Sequence, residues 1–216
     1  MTSTTAPKAA TGTHARRQRS DGERSRRAIL EGATQLATIE GLEGLSIGRL
    51  AEHIGMSKSG LYSHFGSKQE LQLAAIETAA EIFDREVTRP GLDHPEGVAQ
   101  ILGLAEAFLS HLERRIFPGG CFFAAAGAEL AARDGLVKET IREYLADFVE
   151  IFANLVRDAQ RLGEIDADAD PEQLAFEIDS LLIGANGAFV LFSDEQALER
   201  ARRAIRERLD SAAATA

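Results

Sequence analysis

The residues best suited to bind another molecule lie close together in the chain, between Ser46 and Lys68. One short segment there carries side chains of modest size that donate and accept hydrogen bonds: Ser57, Lys58, Ser59, Tyr62, Ser63 and His64. Side chains of this kind bond to phosphate oxygens and to base edges. The apolar residues of the same segment, Met56, Leu61 and Phe65, provide an inward face that could fix it against a neighbouring element.

The preceding segment has the pattern of a bracing helix. Ser46 can cap it, and its apolar residues follow at positions i, i+3, i+4 and i+7: Ile47, Leu50, Ala51 and Ile54. Two short helices joined by a turn that contains Gly55 describe a helix-turn-helix. The major groove of DNA is about 12 Å wide and admits one helix, which a second helix must hold in position.

Apolar residues recur with the period of a helix along most of the chain, so the sequence predicts an all-α fold. We expect a three-helix helix-turn-helix domain at residues 21–68 and a helical ligand-binding and dimerisation domain at residues 69–212. Residues 1–20 are predicted to be a disordered basic arm. About nine helices are expected, at residues 21–39, 46–54, 57–65, 67–87, 95–112, 121–133, 136–162, 171–192 and 193–209.

Charge is distributed unevenly between these two parts. Residues 1–68 contain 10 Lys and Arg against 6 Asp and Glu, whereas residues 69–216 contain 14 against 28. A basic segment joined to an acidic body suggests an anion-binding head and a body with another task. The single cysteine excludes an internal disulfide, and no signal peptide or membrane span is expected. These features favour a cytoplasmic protein.

The stretch from residue 46 to residue 71, with the helix before it, resembles the TetR/AcrR family of transcriptional regulators. The resemblance covers about residues 24–75 and rests on Ser46, Leu50, Ala51, Gly55, Met56, Ser57, Lys58, Gly60, Leu61, Tyr62, His64, Phe65, Lys68, Glu70 and Leu71. Gly48 departs from the family pattern, which usually places a larger residue there. The resemblance implies a homodimer that binds a palindromic double-stranded DNA operator and is released by a small effector.

Roles follow residue by residue from the resemblance. Tyr62, His64 and Lys68 are expected to contact phosphates, as is the capping Ser46, and Gly60 would let the backbone approach DNA. Base edges are expected to meet Ser57, Lys58 and Ser59, because a recognition helix reads DNA with its N-terminal residues. The arm residues Arg16, Arg17 and Arg19 could reach the neighbouring backbone or minor groove.

Each assignment has a plainer alternative. Ser46 and Ser57 could be helix caps and nothing more, and Tyr62 could be a half-buried packing residue. His64 could cover the core, and Lys68 could be a solvated surface lysine. The arm arginines could belong to a solvated tail.

The acidic body is expected to provide dimerisation and effector binding. The helices at about residues 171–192 and 194–209 are the predicted dimer interface, since the first is apolar nearly all round. An apolar or aromatic effector is expected among Phe83, Phe108, Leu112, Phe117, Phe122, Phe123, Phe148, Phe152 and Phe189. Polar contacts could come from Asn154, Glu177, Asp179 and Asn186.

The sequence also bears on two other classes of protein. An enzyme is disfavoured, because the five histidines lack metal-ligand spacing and no G-x-S-x-G or Gly-rich phosphate loop is present. No metal, cofactor or catalytic residue is expected. A scaffold that uses the helix-turn-helix to bind protein stays open, although the basic head and its Tyr, His and Lys residues favour nucleic acid. A repressor is favoured over an activator.

Overall fold

The computed structural model describes residues 11–214, with side chains from Gly22 onward. All regular elements in that range are helices, as the sequence predicts. They are α1 (Thr11–Glu40), α2 (Ile47–His53), α3 (Lys58–Tyr62), α4 (Lys68–Phe83), a π-helical segment (Asp84–Thr88), α5 (Arg89–Leu92), α6 (Val98–Glu113), α7 (Phe122–Leu130), α8 (Leu136–Arg161), α9 (Pro171–Phe192) and α10 (Gln196–Ser211).

The α4 helix, the π-helical segment and α5 follow one another without a break from Lys68 to Leu92. Counted as one rod, they bring the described residues 11–214 to nine helical rods, the number that the sequence predicts. The predicted helix ended at about residue 87, but the helical backbone continues through Pro90. Pro90 stands where the π-helical segment passes into α5.

The N-terminal helix is longer than predicted. It begins at Thr11, so the expectation of a disordered arm is wrong for residues 11–20, and residues 1–10 lie outside the described part. Residues 11–20 contain Ala, Arg and Gln, which favour helix, and a helix that is already nucleated propagates at little cost. Periodic burial identifies only the packed half of α1, which starts at Ile29.

The C-terminal end of the chain is bonded to the loop that follows α8. Ile165 and Ala213 form an isolated antiparallel bridge. The amide of Asp166 donates to the carbonyl of Ala212 at 2.9 Å, and the amide of Ala214 donates to the carbonyl of Glu164 at 3.2 Å. The end of α10 is therefore tied to the loop between α8 and α9.

The helices pack as a small head on a larger body. In the head, α1 packs against α2 and α4, and α2 packs against α3. In the body, α9 packs between α8 and α10, while α6 contacts α8, α9 and α10. Because α1 also contacts α7, and α4 contacts α8, the head and the body share one continuous apolar core.

Helix α9 is long and apolar enough to cross a membrane by length and composition alone. A core or interface helix of a folded protein meets the same criteria. Glu177 of α9 is paired with Arg208 of α10, and the side chain of Asn186 accepts a hydrogen bond from the amide of Cys121. These polar contacts with neighbouring elements favour a packed helix over a membrane span.

One buried polar side chain in the body lacks a partner. His111 of α6 is 1% exposed, and neither of its ring nitrogens is hydrogen-bonded to any group that the structure describes. Its ring lies 5.4 Å from that of Phe117 and 5.9 Å from that of Phe83. Burial, assisted by the charge of Arg114, lowers the pKa of His111 from 6.5 to about 4. The imidazole is therefore neutral at physiological pH.

The state of His111 predicts a pH dependence of stability. Between pH 6.5 and about 4 the unfolded chain binds a proton at His111 that the folded chain does not, so the free energy of unfolding falls as the pH falls. The full effect amounts to roughly 3 kcal/mol, at about 1.4 kcal/mol for each tenfold change in proton affinity. Urea denaturation of His111→Leu should show a correspondingly shallower loss of stability between pH 7 and pH 4.

The exposed His53 provides the matched control, since His53→Ala removes a histidine without touching the core. This variant should follow the wild-type pH profile. Parallel profiles for wild type and His111→Leu would contradict the prediction.

Candidate nucleic-acid interface

The caps of the helix-turn-helix are formed by the predicted serines. The hydroxyl of Ser46 accepts a hydrogen bond from the amide of Arg49 at 3.3 Å, and the hydroxyl of Ser57 accepts one from the amide of Gly60 at 3.2 Å. Leu50 is fully buried in α2, as is Leu61 in α3. Caps and core contacts thus fix the rotation of both short helices about their axes.

The outward face of α3 is open to solvent. The Tyr62 side chain is 63% exposed, which rules out the alternative of a half-buried packing residue. Ser57, Lys58 and Ser59 are exposed beside it, and the hydroxyls of the two serines lie 3.3 Å apart. The structure therefore brings together the side chains expected to meet base edges and one expected to meet a phosphate.

The lack of a side chain at Gly48 leaves space for the side chain of Lys58. A Cβ atom added at Gly48 would lie 3.5 Å from Cε and 3.6 Å from Nζ of Lys58, so the lysine side chain extends across the glycine. The ammonium group consequently stands beside α2 as well as above α3. A larger residue at position 48 would compete with Lys58 for this space.

Gly60 has a local role in addition to the predicted one. A Cβ atom there would lie 3.1 Å from the Ser57 hydroxyl oxygen, which is tighter than an ordinary contact. The carbonyl of Gly60 also accepts a hydrogen bond from the Ser63 hydroxyl at 2.6 Å. Glycine at this position therefore relieves crowding at the cap of α3.

Lys68, at the start of α4, is not simply a solvated lysine. Its ammonium donates to the backbone carbonyl of Glu43 at 2.6 Å and to the Glu43 carboxylate at 3.2 Å. The side chains of Gln72 and Lys68 hold the pKa of Glu43 below its usual value. Since an ammonium has three donors, one remains available for a phosphate oxygen.

Arg26 is a residue that the sequence analysis missed. Its guanidinium lies over the ring of Phe65, 4.8 Å from the centroid, and donates to the carbonyl of His64 at 2.9 Å. The half-buried His64 side chain lies beside Phe65 as well. Arg26 thereby ties α1 to the end of the recognition segment. A pairing across 38 residues leaves no periodic pattern by which sequence reasoning could detect it. The side chains of Arg16, Arg17 and Arg19 lie outside the described part.

The body contains a cavity of about 140 Å³ between α4, α6, α8 and α9. Four of the nine predicted effector residues line it: Phe83, Phe108, Phe123 and Phe148. The ring of Phe83 lies 5.2 Å from that of Phe148 and 5.7 Å from that of Phe123. The structure thus brings these phenylalanines together around one space that is large enough for a small ligand.

The other five predicted effector residues do not line this cavity. Leu112, Phe117, Phe122, Phe152 and Phe189 are at most 4% exposed and belong to the continuous core. They pack against other side chains instead, as Phe117 does against His111 and Phe189 does against Arg115. Composition alone cannot separate a cavity wall from a filled core, because both require buried apolar residues.

Of the four polar residues expected near an effector, three have other partners. Asn154 accepts from Arg157, Glu177 is paired with Arg208, and Asn186 accepts from the Cys121 amide. Asp179 alone lines the cavity. Cys121 also lines it, and burial raises the pKa of its thiol to about 11, so the thiol is protonated.

Comparison with known families assigns the class of the protein. Residues 29–75 match the profile described as bacterial regulatory proteins, tetR family, and residues 97–205 match that of the tetracyclin repressor-like C-terminal domain. The chain belongs to the TetR family of transcriptional regulators, which are DNA-binding regulators and not enzymes.

Individual relatives match this chain in sequence at modest identity. The transcriptional regulator AcuR of Cereibacter sphaeroides is 25% identical over 171 residues, which cover 79% of this chain and 77% of AcuR. The HTH-type transcriptional repressor AcnR of Corynebacterium efficiens is 40% identical over 80 residues, covering 33% of this chain and 43% of AcnR.

Solved structures agree with these matches. A TetR regulator from Chloroflexus aurantiacus J-10-FL superposes with a TM-score of 0.83 at 26% identity, covering 91% of this chain and 99% of its own. AibR, solved with isovaleryl coenzyme A and operator DNA, has a TM-score of 0.64 at 22% identity, covering 83% and 95%.

The expected DNA contacts of Tyr62, Lys68 and Lys58 predict a different effect on DNA binding for a substitution at each residue. Tyr62→Phe removes one hydroxyl from each protomer, and we expect the DNA affinity of the dimer to fall at least about a hundredfold, because each of the two lost hydrogen bonds to a charged group contributes about 1.5–3 kcal/mol. Lys68→Ala should also flatten the dependence of log K on log salt by about two for a dimer, through one lost phosphate contact per protomer. Lys58→Ala should change base preference. Fluorescence anisotropy with labelled DNA measures the affinity, its salt dependence and the base preference of the three variants.

Two controls separate DNA contact from structural support. Glu43→Gln removes the charged partner of Lys68 but keeps the lysine, so it should leave the salt dependence unchanged. Arg142→Ala removes a positive charge from the exposed surface of α8 and should leave affinity unchanged. Equal salt dependence for Lys68→Ala and wild type would contradict the phosphate assignment.

Proposed function

We propose that the protein is a repressor that binds a palindromic operator as a homodimer and is released by a small apolar or aromatic effector. Residues 21–68 bind DNA, and residues 69–212 bind the effector and form the dimer. The observation that carries the proposal is the exposed polar face of α3 beside Lys68. Lys68 begins α4, and the other end of α4 lines the aromatic cavity. The site of action is the cytoplasm, where the DNA lies.

An apolar strip on α9 supports the dimer. Phe176 is 63% exposed and Leu191 is 75% exposed, although both are large hydrophobic residues. Between them, a Cβ atom added at Gly184 or Gly187 would meet nothing within 4 Å. A large exposed apolar strip that includes glycines suits the close approach of a second helix. The partner surface is α9 of a second copy, with α10 beside it.

The α4 helix supports coupling between operator and effector. Lys68 stands at its first position, and Ala80 and Phe83 near its end line the cavity. A helix of 16 residues is about 24 Å long. An occupant that displaces the wall of the cavity would therefore move the DNA-facing end of the same rigid rod. A ligand that favours the displaced position lowers affinity for the operator by the same coupling energy with which DNA opposes the ligand.

Repression is favoured over activation by the relatives. AcnR, which matches this chain at 40% identity over 80 residues, is a repressor. The structure of AibR contains both isovaleryl coenzyme A and operator DNA, so the same fold accommodates a ligand and an operator. A scaffold that binds protein through α3 is disfavoured, because serine, lysine and tyrosine at this position suit phosphates and base edges.

The operator provides the direct test. DNA from the region upstream of the protein's own gene should bind in a mobility-shift assay and yield a palindromic footprint. Two recognition helices should occupy successive major grooves, about 34–36 Å apart. Absence of sequence-specific binding to upstream DNA, together with binding of a protein partner that Tyr62→Ala abolishes, would favour the scaffold instead.

The α9 strip predicts the effect of a single charge on assembly. Leu191→Glu should convert a dimer into a monomer of 23.3 kDa, because twofold symmetry would bury two carboxylates in one apolar interface. Operator affinity should fall with it. Light scattering coupled to size exclusion measures the mass.

Leu136→Glu is the matched control, since Leu136 is 57% exposed but lies at the start of α8. It should remain a dimer. A wild-type mass of one chain at micromolar concentration would refute the proposed interface.

A further inference from the structure

The volume of the cavity and the charges along it restrict the size and the charge of a ligand, in addition to the apolar character that its walls require. Its volume of about 140 Å³ is close to the ~150 Å³ that accommodates one benzene molecule in an engineered protein cavity. Four phenylalanine rings form its walls, with Phe83 in edge contact with the other three at centroid distances of 5.2–6.2 Å. The space therefore fits one aromatic ring with a short substituent.

Every ionisable side chain along the cavity that carries a formal charge at neutral pH is acidic. Asp84, Asp147 and Asp179 line it, and no Lys, Arg or His is among the lining residues that the structure describes. Asp84 is neutralised by Arg89, whose guanidinium lies 2.7 Å from its carboxylate. Asp147 is exposed to solvent. The remaining carboxylate, Asp179, has neither an arginine partner in the described part of the chain nor full exposure to solvent.

Asp179 is half-buried on α9 and lines the cavity together with Cys121. It forms no hydrogen bond or ion pair with the groups described for residues 22–214, and burial raises its pKa above the usual value. A carboxylate in an apolar space without a partner is costly. A cation inside the cavity would remove that cost, whereas an anion would add repulsion. The faces of the surrounding phenylalanines attract the same cation.

We propose that the cavity binds a protonated amine carried on a single aromatic ring, with Asp179 as its counter-ion and the phenylalanines as its walls. The effector role of such an amine rests on the proposed function, but its binding does not. The cavity should discriminate by charge: an amine binds best, a neutral molecule of the same shape binds less tightly, and a carboxylate is rejected.

The test compares three molecules of matched shape by isothermal titration calorimetry at pH 7 on the full chain without DNA. They are 2-phenylethylamine, the neutral 2-phenylethanol and the anionic 3-phenylpropanoate. We expect the amine to bind at least tenfold more tightly than the alcohol and the carboxylate to show no binding. Equal affinities for amine and alcohol, or binding of none of the three at millimolar concentration, would overturn the proposal.

Two variants locate the counter-ion. Asp179→Asn keeps the shape of the side chain and should abolish the preference for the amine while leaving binding of the alcohol unchanged. Asp147→Asn removes an exposed carboxylate at the same cavity and should change amine affinity by less than threefold. A retained preference in Asp179→Asn would overturn the assignment. Circular dichroism melting confirms that each variant is folded, and retained binding of the alcohol shows that the cavity is intact.

Operator release is measured separately, by anisotropy of the DNA complex. Amine binding without release would contradict the effector role in the proposed function and leave the cavity assignment standing. Release by a neutral or anionic molecule, with no preference for the amine in calorimetry, would overturn the amine and leave the proposed function standing.

Discussion

Helix α3 is too short to hold its own shape, so the position of its exposed polar face depends on the residues that pack beneath it. A segment of five residues does not form a stable helix in water, since nucleation costs more than so few hydrogen bonds return. Leu61 and Phe65 are buried at 0% and 2% exposure, and they hold the segment against the head. The Ser57 cap and the contact of Arg26 with Phe65 fix its two ends. The position of Tyr62 is therefore set by the residues that pack against α3 and cap it.

The features predicted correctly from sequence are those encoded within a few residues. The hydroxyls of the predicted caps Ser46 and Ser57 each accept a hydrogen bond from the amide three positions ahead, so residue type and spacing reveal them. Asp170 likewise caps α9, which starts at the predicted residue, Pro171. The predicted start of α10, at residue 193, is three residues too early. Ser193 has a left-handed backbone, and Asp194 accepts a hydrogen bond from the amide of Gln196, where the helix begins.

Features that depend on distant parts of the chain were not predictable in the same way. The pairing of Lys68 with Glu43 links residues 25 positions apart, and the contact of Arg26 with His64 links residues 38 apart. Phe123 lines the cavity while its neighbour Phe122 fills the core, a distinction that depends on the rotation of α7 against four other elements. Periodicity identifies a buried face, but only three-dimensional packing shows where that face leaves a space.

The tie between the end of α10 and the loop before α9 bears on how two subunits would face each other. Backbone hydrogen bonds at Asp166 and Ala214 join the loop before the start of α9 to the end of α10, so these two helix ends cannot separate. The crossing angle within one subunit is thus inherited by any symmetric assembly built on these helices. In the proposed dimer, these few main-chain hydrogen bonds would accordingly help to determine the distance between the two recognition helices.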